Sequence, residues 1–191
     1  KTQRGKRERS SLKTGSIVGY TNAGKSSLLK ALVGGDLYIA DKLFATLDPT
    51  TRRVYLPSEN GEVLLTDTVG FIRRLPHELI EAFKSTLEET VLADFLIQVL
   101  DASDPHLEDH ARTTRKILGQ IGAVDKPVIT VFNKIDLCED AEAVRALAAA
   151  YPNPVIMSAA TAGNEGVTEL LAVIGNLVHE ESVDASSFAV L

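Results

Sequence analysis

Eight consecutive residues carry the most specific chemistry in the chain. Gly19-Tyr20-Thr21-Asn22-Ala23-Gly24-Lys25-Ser26 sets two glycines, with four residues between them, ahead of a lysine and a serine. Glycine at those places lets backbone N–H groups turn inward around a phosphate. The lysine then reaches the β- and γ-phosphates of a nucleoside triphosphate, and the serine hydroxyl suits Mg²⁺. Such a loop works between a strand and a helix. Ser16-Ile17-Val18-Gly19-Tyr20 is apolar and β-branched, as a short buried strand requires. Leu28, Leu29 and Leu32 recur at helical spacing between Lys25 and Val33, and Gly34-Gly35 ends the run. A chance glycine-rich turn is the competing explanation, and it leaves a costly buried lysine without a purpose.

A phosphate cradle does not choose a base. Asn133-Lys134-Ile135-Asp136, directly after an apolar run ending at Phe132, does. The Asp136 carboxylate accepts two hydrogen bonds from the N1–H and exocyclic amino group of guanine, a donor pair that adenine lacks. Asn133 and the aliphatic stem of Lys134 support the ring. A buried pocket of this kind discriminates by about 10⁴-fold or more, because the wrong base leaves acceptors empty. Ser158-Ala159-Ala160 closes the last short strand-like run and sets the Ala159 N–H near guanine O6, although the triplet alone carries no information. Asp67-Thr68-Val69-Gly70 lies between these motifs; its carboxylate suits Mg²⁺ through water, and the Gly70 N–H suits the γ-phosphate. The next residue, Phe71, neither donates nor accepts a hydrogen bond, so no water-positioning side chain stands there. His77 follows Pro76 at a helix start and reads as a surface residue, with catalysis as the alternative.

These motifs need a scaffold that brings them to one edge. Arg52–Leu56 and Glu62–Thr66 read as two strands of a hairpin around Pro57-Ser58-Glu59-Asn60-Gly61, the one antiparallel signal in the chain. From Pro76 a helix is expected, with Leu79, Phe83, Leu87 and Val91 giving one apolar face. Strand and helix then alternate: Phe95–Leu100, Leu107–Ile121, Val128–Phe132, Glu139–Ala150, Pro154–Met157 and Val167–Val178. Strands apolar on both faces, alternating with long helices, predict an α/β fold of the P-loop NTPase kind. Its six-stranded sheet is mostly parallel, with one antiparallel edge hairpin and helices on both faces. Ligands bind at the carboxyl ends of such strands, and every motif falls just after a strand. Residues 36–51 show no period, and connections of that length are usually functional.

With 191 residues, 45% of them hydrophobic and 24% charged, the chain has enough apolar mass for one core. Its apolar runs are too short to span a bilayer, no secretory leader is recognisable, and the single cysteine, Cys138, has no partner for a disulfide. A cytoplasmic protein is expected. Six cations against Glu8 give residues 1–13 a charge of +5 within a total of −6, so any phosphate-backbone partner meets that lead-in more favourably than the acidic remainder.

In this order the motifs resemble the translation-factor-related class of small GTPases. Gly-Tyr-Thr-Asn-Ala-Gly-Lys-Ser at 19–26, Leu-Phe-Ala-Thr-Leu-Asp-Pro-Thr-Thr-Arg at 43–52 and Asp-Thr-Val-Gly-Phe-Ile-Arg-Arg-Leu-Pro-His at 67–77 are similar to the HflX family, and the likeness covers residues 12–180. The resemblance implies a G-domain fold that hydrolyses GTP to GDP and phosphate with Mg²⁺, slowly alone and faster with a partner. It implies that Thr46, within Phe44-Ala45-Thr46-Leu47-Asp48, is the switch I threonine that ligates Mg²⁺ directly, as Ser26 does, and senses the γ-phosphate. Chemistry alone leaves Thr50 and Thr51 as candidates. Thr46 stands 20 residues after Ser26 and 21 before Asp67, a spacing similar to related GTPases.

Lys25, Thr46, Gly70 and Asn22 form the expected catalytic set. Ras-like enzymes carry a water-orienting glutamine where Phe71 stands. In several GTPases that the chain resembles, an asparagine at the place of Asn22 helps hold a potassium ion against the phosphates; a turn-favouring role is the alternative. Family members carry an N-terminal domain and a helical linker, so residues 1–13 are expected to end that linker, 14–180 to form the G domain and 181–191 a tail. The family implies association with the ribosome, chiefly its large subunit, in splitting or rescue, with residues 1–13 a candidate rRNA contact. Two other readings stay open. One is a nucleotide-gated binding module with negligible hydrolysis of its own, and the other is a nucleic-acid-binding arm that rests on the +5 lead-in alone.

Overall fold

The computed structural model describes residues 12–34, 50–57, 61–71, 84–161 and 166–187, with 84–86 and 180–187 described by their backbone. The expectations for residues 1–11, Phe44 to Asp48 with Thr46, Asn60, Pro76 and His77 lie outside the described residues.

The described residues contain six strands: β1 (Thr14–Gly19), β2 (Thr50–Tyr55), β3 (Glu62–Asp67), β4 (Phe95–Asp101), β5 (Val128–Asn133) and β6 (Pro154–Ile156). They form one sheet in the order β2-β3-β1-β4-β5-β6. β2 and β3 pair antiparallel at one edge, and the other neighbours are parallel, as the alternation of elements requires. The helices are α1 (Lys25–Val33), α2 (Lys84–Leu92), α3 (Leu107–Gln120), α4 (Ala141–Ala148) and α5 (Val167–Ser187).

Successive side chains of a strand point to opposite faces, and here each face has its own helices. Ile17, Ile97, Val99, Ile129 and Val131 pack with Leu28 and Leu29 of α1 and with Leu170 and Ile174 of α5. On the other face Val18 and Leu96 meet Leu87 of α2 and Leu118 of α3. Leu100 and Phe132 meet Leu107 and Ala111 of α3 and Val144 and Ala148 of α4. Burial on both sides explains why the central strands β1, β4 and β5 read as largely apolar runs.

Three expectations need correction. Val91 does not share the buried face of Leu87: it is 38% exposed, and the buried position is Thr90, whose Oγ1 lies 3.0 Å from Ser16 Oγ. The helix turns that hydroxyl toward β1 because a buried serine needs a hydrogen-bond partner. Helix α4 starts at Ala141 rather than Glu139, since Asp140 accepts from the Ala143 N–H at 2.9 Å and so caps it. Helix α5 continues to Ser187, so the expected tail 181–191 begins inside a helix. The apolar stripe ends at Val178, but neither glycine nor proline follows before 187 to stop the backbone. No helix among the described residues is long and apolar enough to cross a membrane.

Candidate nucleotide-binding site

β1 ends at Gly19 and α1 opens at Lys25, so the five residues between them must redirect the chain. Asn22 and Gly24 do so with φ of 65° and 96°, both left-handed. Asparagine is among the few side chains that tolerate this region. Gly24 is needed for a second reason, because a Cβ there would collide with Asn133 Nδ2. The phosphate loop and the base loop are therefore packed directly on each other.

Lys25 is buried at the start of α1, with Nζ donating to the Tyr20 carbonyl at 3.3 Å. Burial lowers its pKa to about 8, against a smaller opposing pull from the nearby Asp67. An ammonium held in so little water is poised for an anion. Ser26 Oγ donates to Asp67 Oδ2 at 2.5 Å, so the hydroxyl and carboxylate expected to serve one cation lie side by side.

β1 and the segment after β3 are tied by backbone. Phe71 N–H donates to Gly19 O at 2.9 Å and Thr21 N–H to Phe71 O at 2.8 Å. Gly70 fits beneath this tie, where a Cβ would lie 2.6 Å from Thr21 Cα. Thr68 and Val69 turn their side chains inward, and the Thr68 hydroxyl donates to Ile17 O at 2.6 Å, so they shape the loop from behind. Phe71 is buried among Val18, Leu87 and Leu96, which removes its side chain from any role with water. Of the two alternative switch threonines, Thr50 and Thr51 both belong to β2, and the Thr51 hydroxyl is engaged with Thr66 Oγ1 at 2.8 Å.

The base loop follows β5. Asn133 is buried, donates through Nδ2 to Ala23 O at 3.0 Å and accepts the Ala159 N–H through Oδ1 at 3.0 Å. The N–H expected near guanine O6 is thus engaged with Asn133 here. Lys134 adopts φ 65°, a strained conformation for a side chain of its size. Its Nζ donates to Asn22 O at 2.9 Å and to Asp101 Oδ2 at 2.7 Å. Ile135 packs into the core, while Asp136 Oδ1 accepts the buried Ser158 hydroxyl at 2.5 Å. Ala160 is exposed beside them.

Two residues near these loops escaped the sequence reading. Asp101 ends β4 in register with Asn133; a polar residue closing an apolar run at the same level as the base motif was the available signal. His110 of α3 stacks on the Tyr20 ring, with centroids 3.7 Å apart and planes at 8°, and its Nδ1 lies 3.3 Å from Asp104 Oδ2. No local motif announces that contact, because it joins residues 90 positions apart.

Strand order, phosphate cradle and base loop together define a P-loop GTPase domain. A family model described as a 50S ribosome-binding GTPase matches residues 14–134. GTPase HflX of Akkermansia muciniphila is 62% identical over 136 residues, which are 71% of this chain and 31% of that protein. GTPase HflX of Chlamydia pneumoniae is 45% identical over 178 residues, 93% of this chain and 37% of that protein. The crystal structure of a GTP-binding protein from Sulfolobus solfataricus in complex with GDP superposes with a TM-score of 0.65 at 28% identity, covering 93% of this chain and 56% of the other. The chain belongs to the 50S ribosome-binding GTPase family and, within it, to the HflX GTPases. It spans about a third of the length of those two HflX relatives.

Proposed function

We propose that this chain binds GTP and GDP, hydrolyses GTP to GDP and phosphate, and does so in association with the ribosome, chiefly its large subunit. One observation carries the nucleotide reading: Asn133 bridges the phosphate loop at Ala23 and the Ser158-Ala159-Ala160 turn, so base recognition and phosphate binding share one rigid frame. In this reading Gly19 to Ser26 hold the phosphates, Asn133, Lys134 and Asp136 the guanine, and Gly70 the γ-phosphate through its N–H. The same reading counts Phe44 to Asp48 among the nucleotide-binding residues, with Thr46 as the sensor of the γ-phosphate.

The donor chemistry fits Mg²⁺. Ser26 and Asp67 offer hard oxygens, and this ion keeps waters and substrate phosphates in its octahedral shell, so it needs few protein ligands. We assign Ser26 and Thr46 as direct ligands and Asp67 as a ligand through water; the ion, when bound, neutralises charge on the β- and γ-phosphate oxygens. The chain's own part is to fix the phosphates with Lys25 and backbone N–H groups while water attacks the γ-phosphorus and the β–γ bridging oxygen leaves with GDP.

The ribosome enters through the family, and the cytosol with it. Residues 1–13, at +5, supply the charge for an rRNA contact. Single-turnover hydrolysis with purified ribosomal subunits added separately tests the proposal. Acceleration by the large subunit is expected. No hydrolysis with either subunit, despite GTP binding, would instead favour a nucleotide-gated binding module, a reading to which the buried Phe71 side chain lends weight.

A further inference from the structure

The carboxylate of Asp101 is bound at both oxygens. Oδ1 accepts the Ser103 N–H at 3.0 Å and the Ser103 hydroxyl at 2.6 Å. Oδ2 accepts from Lys134 Nζ at 2.7 Å. The serine contacts set the direction of the carboxylate independently of the lysine. Its level is set too: Asp101 lies opposite Asn133 in the β4–β5 register, and the Ala102 N–H donates to Asn133 O at 2.8 Å. Asp101 is thus fastened to the backbone from which the base loop departs. Lys134 leaves that backbone in a left-handed conformation, and its ammonium also donates to Asn22 O in the phosphate loop. The side chains of Lys134 and Asp101 are 25% and 19% exposed, so solvent screens their attraction only in part.

We infer that Asp101 is a positioning residue for nucleotide binding: it anchors the Lys134 ammonium so that the lysine bridges the base loop and the phosphate loop and its stem lies over the bound guanine nucleotide. This rests on the nucleotide-binding reading above. A lysine stem loses up to about 2 kcal/mol of rotamer freedom when fixed, and one neutral carbonyl acceptor gives a weaker hold than a charge-assisted bond. Without the carboxylate the stem is released and the two loops lose their bridge. A second effect has the opposite sign, since removing a negative charge near the phosphate loop favours an anion. The direction of change in nucleotide release therefore decides between them.

Release of a fluorescent GDP analogue from the 191-residue chain, followed by stopped flow, is the test. Asp101→Asn is expected to speed release by about tenfold or more, the loss of one charge-assisted bond. Lys134→Ala should do the same, and the double variant should release no faster than Lys134→Ala alone, because both changes break one link. Ser103→Ala, which removes only a contact behind the carboxylate, should change release far less. Asp101→Ser gives a second substitution should the first not fold, with a thermal melt of each nucleotide-free variant as the control. Unchanged or slower release in the folded Asp101 variants, additive effects in the double variant, or a Ser103→Ala effect as large as that of Asp101→Asn each overturn the inference alone. A wild-type chain that does not hold the GDP analogue overturns the nucleotide-binding reading itself, and this inference with it.

Discussion

Base preference, in the function proposed here, rests on one carboxylate. Asp136 Oδ1 already accepts the buried Ser158 hydroxyl, which fixes how a substituted side chain must sit. In Asp136→Asn the remaining carbonyl oxygen stays on Ser158 and the new amino group faces the base, where guanine also presents donors. GTP affinity should fall by about tenfold or more, and xanthosine triphosphate, which carries an oxygen in place of the amino group, should bind better than it does to the wild type. Competition binding of the two nucleotides measures this, and full GTP affinity with no gain for the xanthine base would remove Asp136 from the base site. Two positions further on, Cys138 points its thiol at the Lys134 carbonyl, 3.6 Å from Sγ, and burial, with the nearby Asp101 and Asp136 charges, raises its pKa. Only the thiolate is nucleophilic, so iodoacetamide at pH 8 should alkylate Cys138 more slowly than a free thiol. A rate equal to that of glutathione would mean that the thiol is not held in this environment.

At the level of elements, β1 has neighbours on both sides and little room. A Cβ on Gly15 would lie 2.5 Å from Phe95 Cζ and 2.7 Å from Leu65 Cδ2, and both of those side chains are fully buried. Overpacking of this kind costs about 1–3 kcal/mol, so Gly15→Ala should lower the urea midpoint by a corresponding amount; an unchanged midpoint would show that the core yields there. Gly15 also shows where the sequence stops being informative. Its neighbours Ile17 and Val18 announce a buried strand by their own side chains, whereas the need for glycine arises from Phe95 and Leu65, residues far away in the chain. The same division runs through the rest of the fold. Strands buried on both faces were legible because apolar runs state it directly, and the base loop because Asn133 to Asp136 follow one of them. The buried face of α2 was not, since Thr90 is chosen over Val91 by a hydroxyl on β1 rather than by anything within the helix. Asp101 was passed over for a like reason: an aspartate at a strand end looks like a solvated turn until Lys134 is placed beside it.

At the scale of the whole molecule the fold brings the proposed site to one end of the sheet, where the loops after β1, β3, β4 and β5 meet. Charge builds on the phosphate oxygens as GTP is cleaved, and related enzymes neutralise it with an arginine finger whose contribution reaches about 10³-fold or more. Phe71 is buried and offers nothing to water or phosphate, and in the function proposed above the compensating charge comes from an ion or from the ribosomal partner. Asn22 is the residue at which the two sources separate. Its backbone has φ 65° and its carbonyl is taken by Lys134, both of which a simple turn residue explains, but its side chain is exposed beside the phosphate loop. An amide oxygen there suits potassium bound against the phosphates. Potassium and sodium carry equal charge and differ in size, so a fitted site distinguishes them and general screening does not. Hydrolysis should therefore run about tenfold or more faster in potassium chloride than in sodium chloride at equal ionic strength, and the difference should vanish in Asn22→Ala. Equal rates in the two salts, with and without ribosomal subunits, would leave Asn22 as the residue that turns the loop and move the compensating charge onto the ribosome.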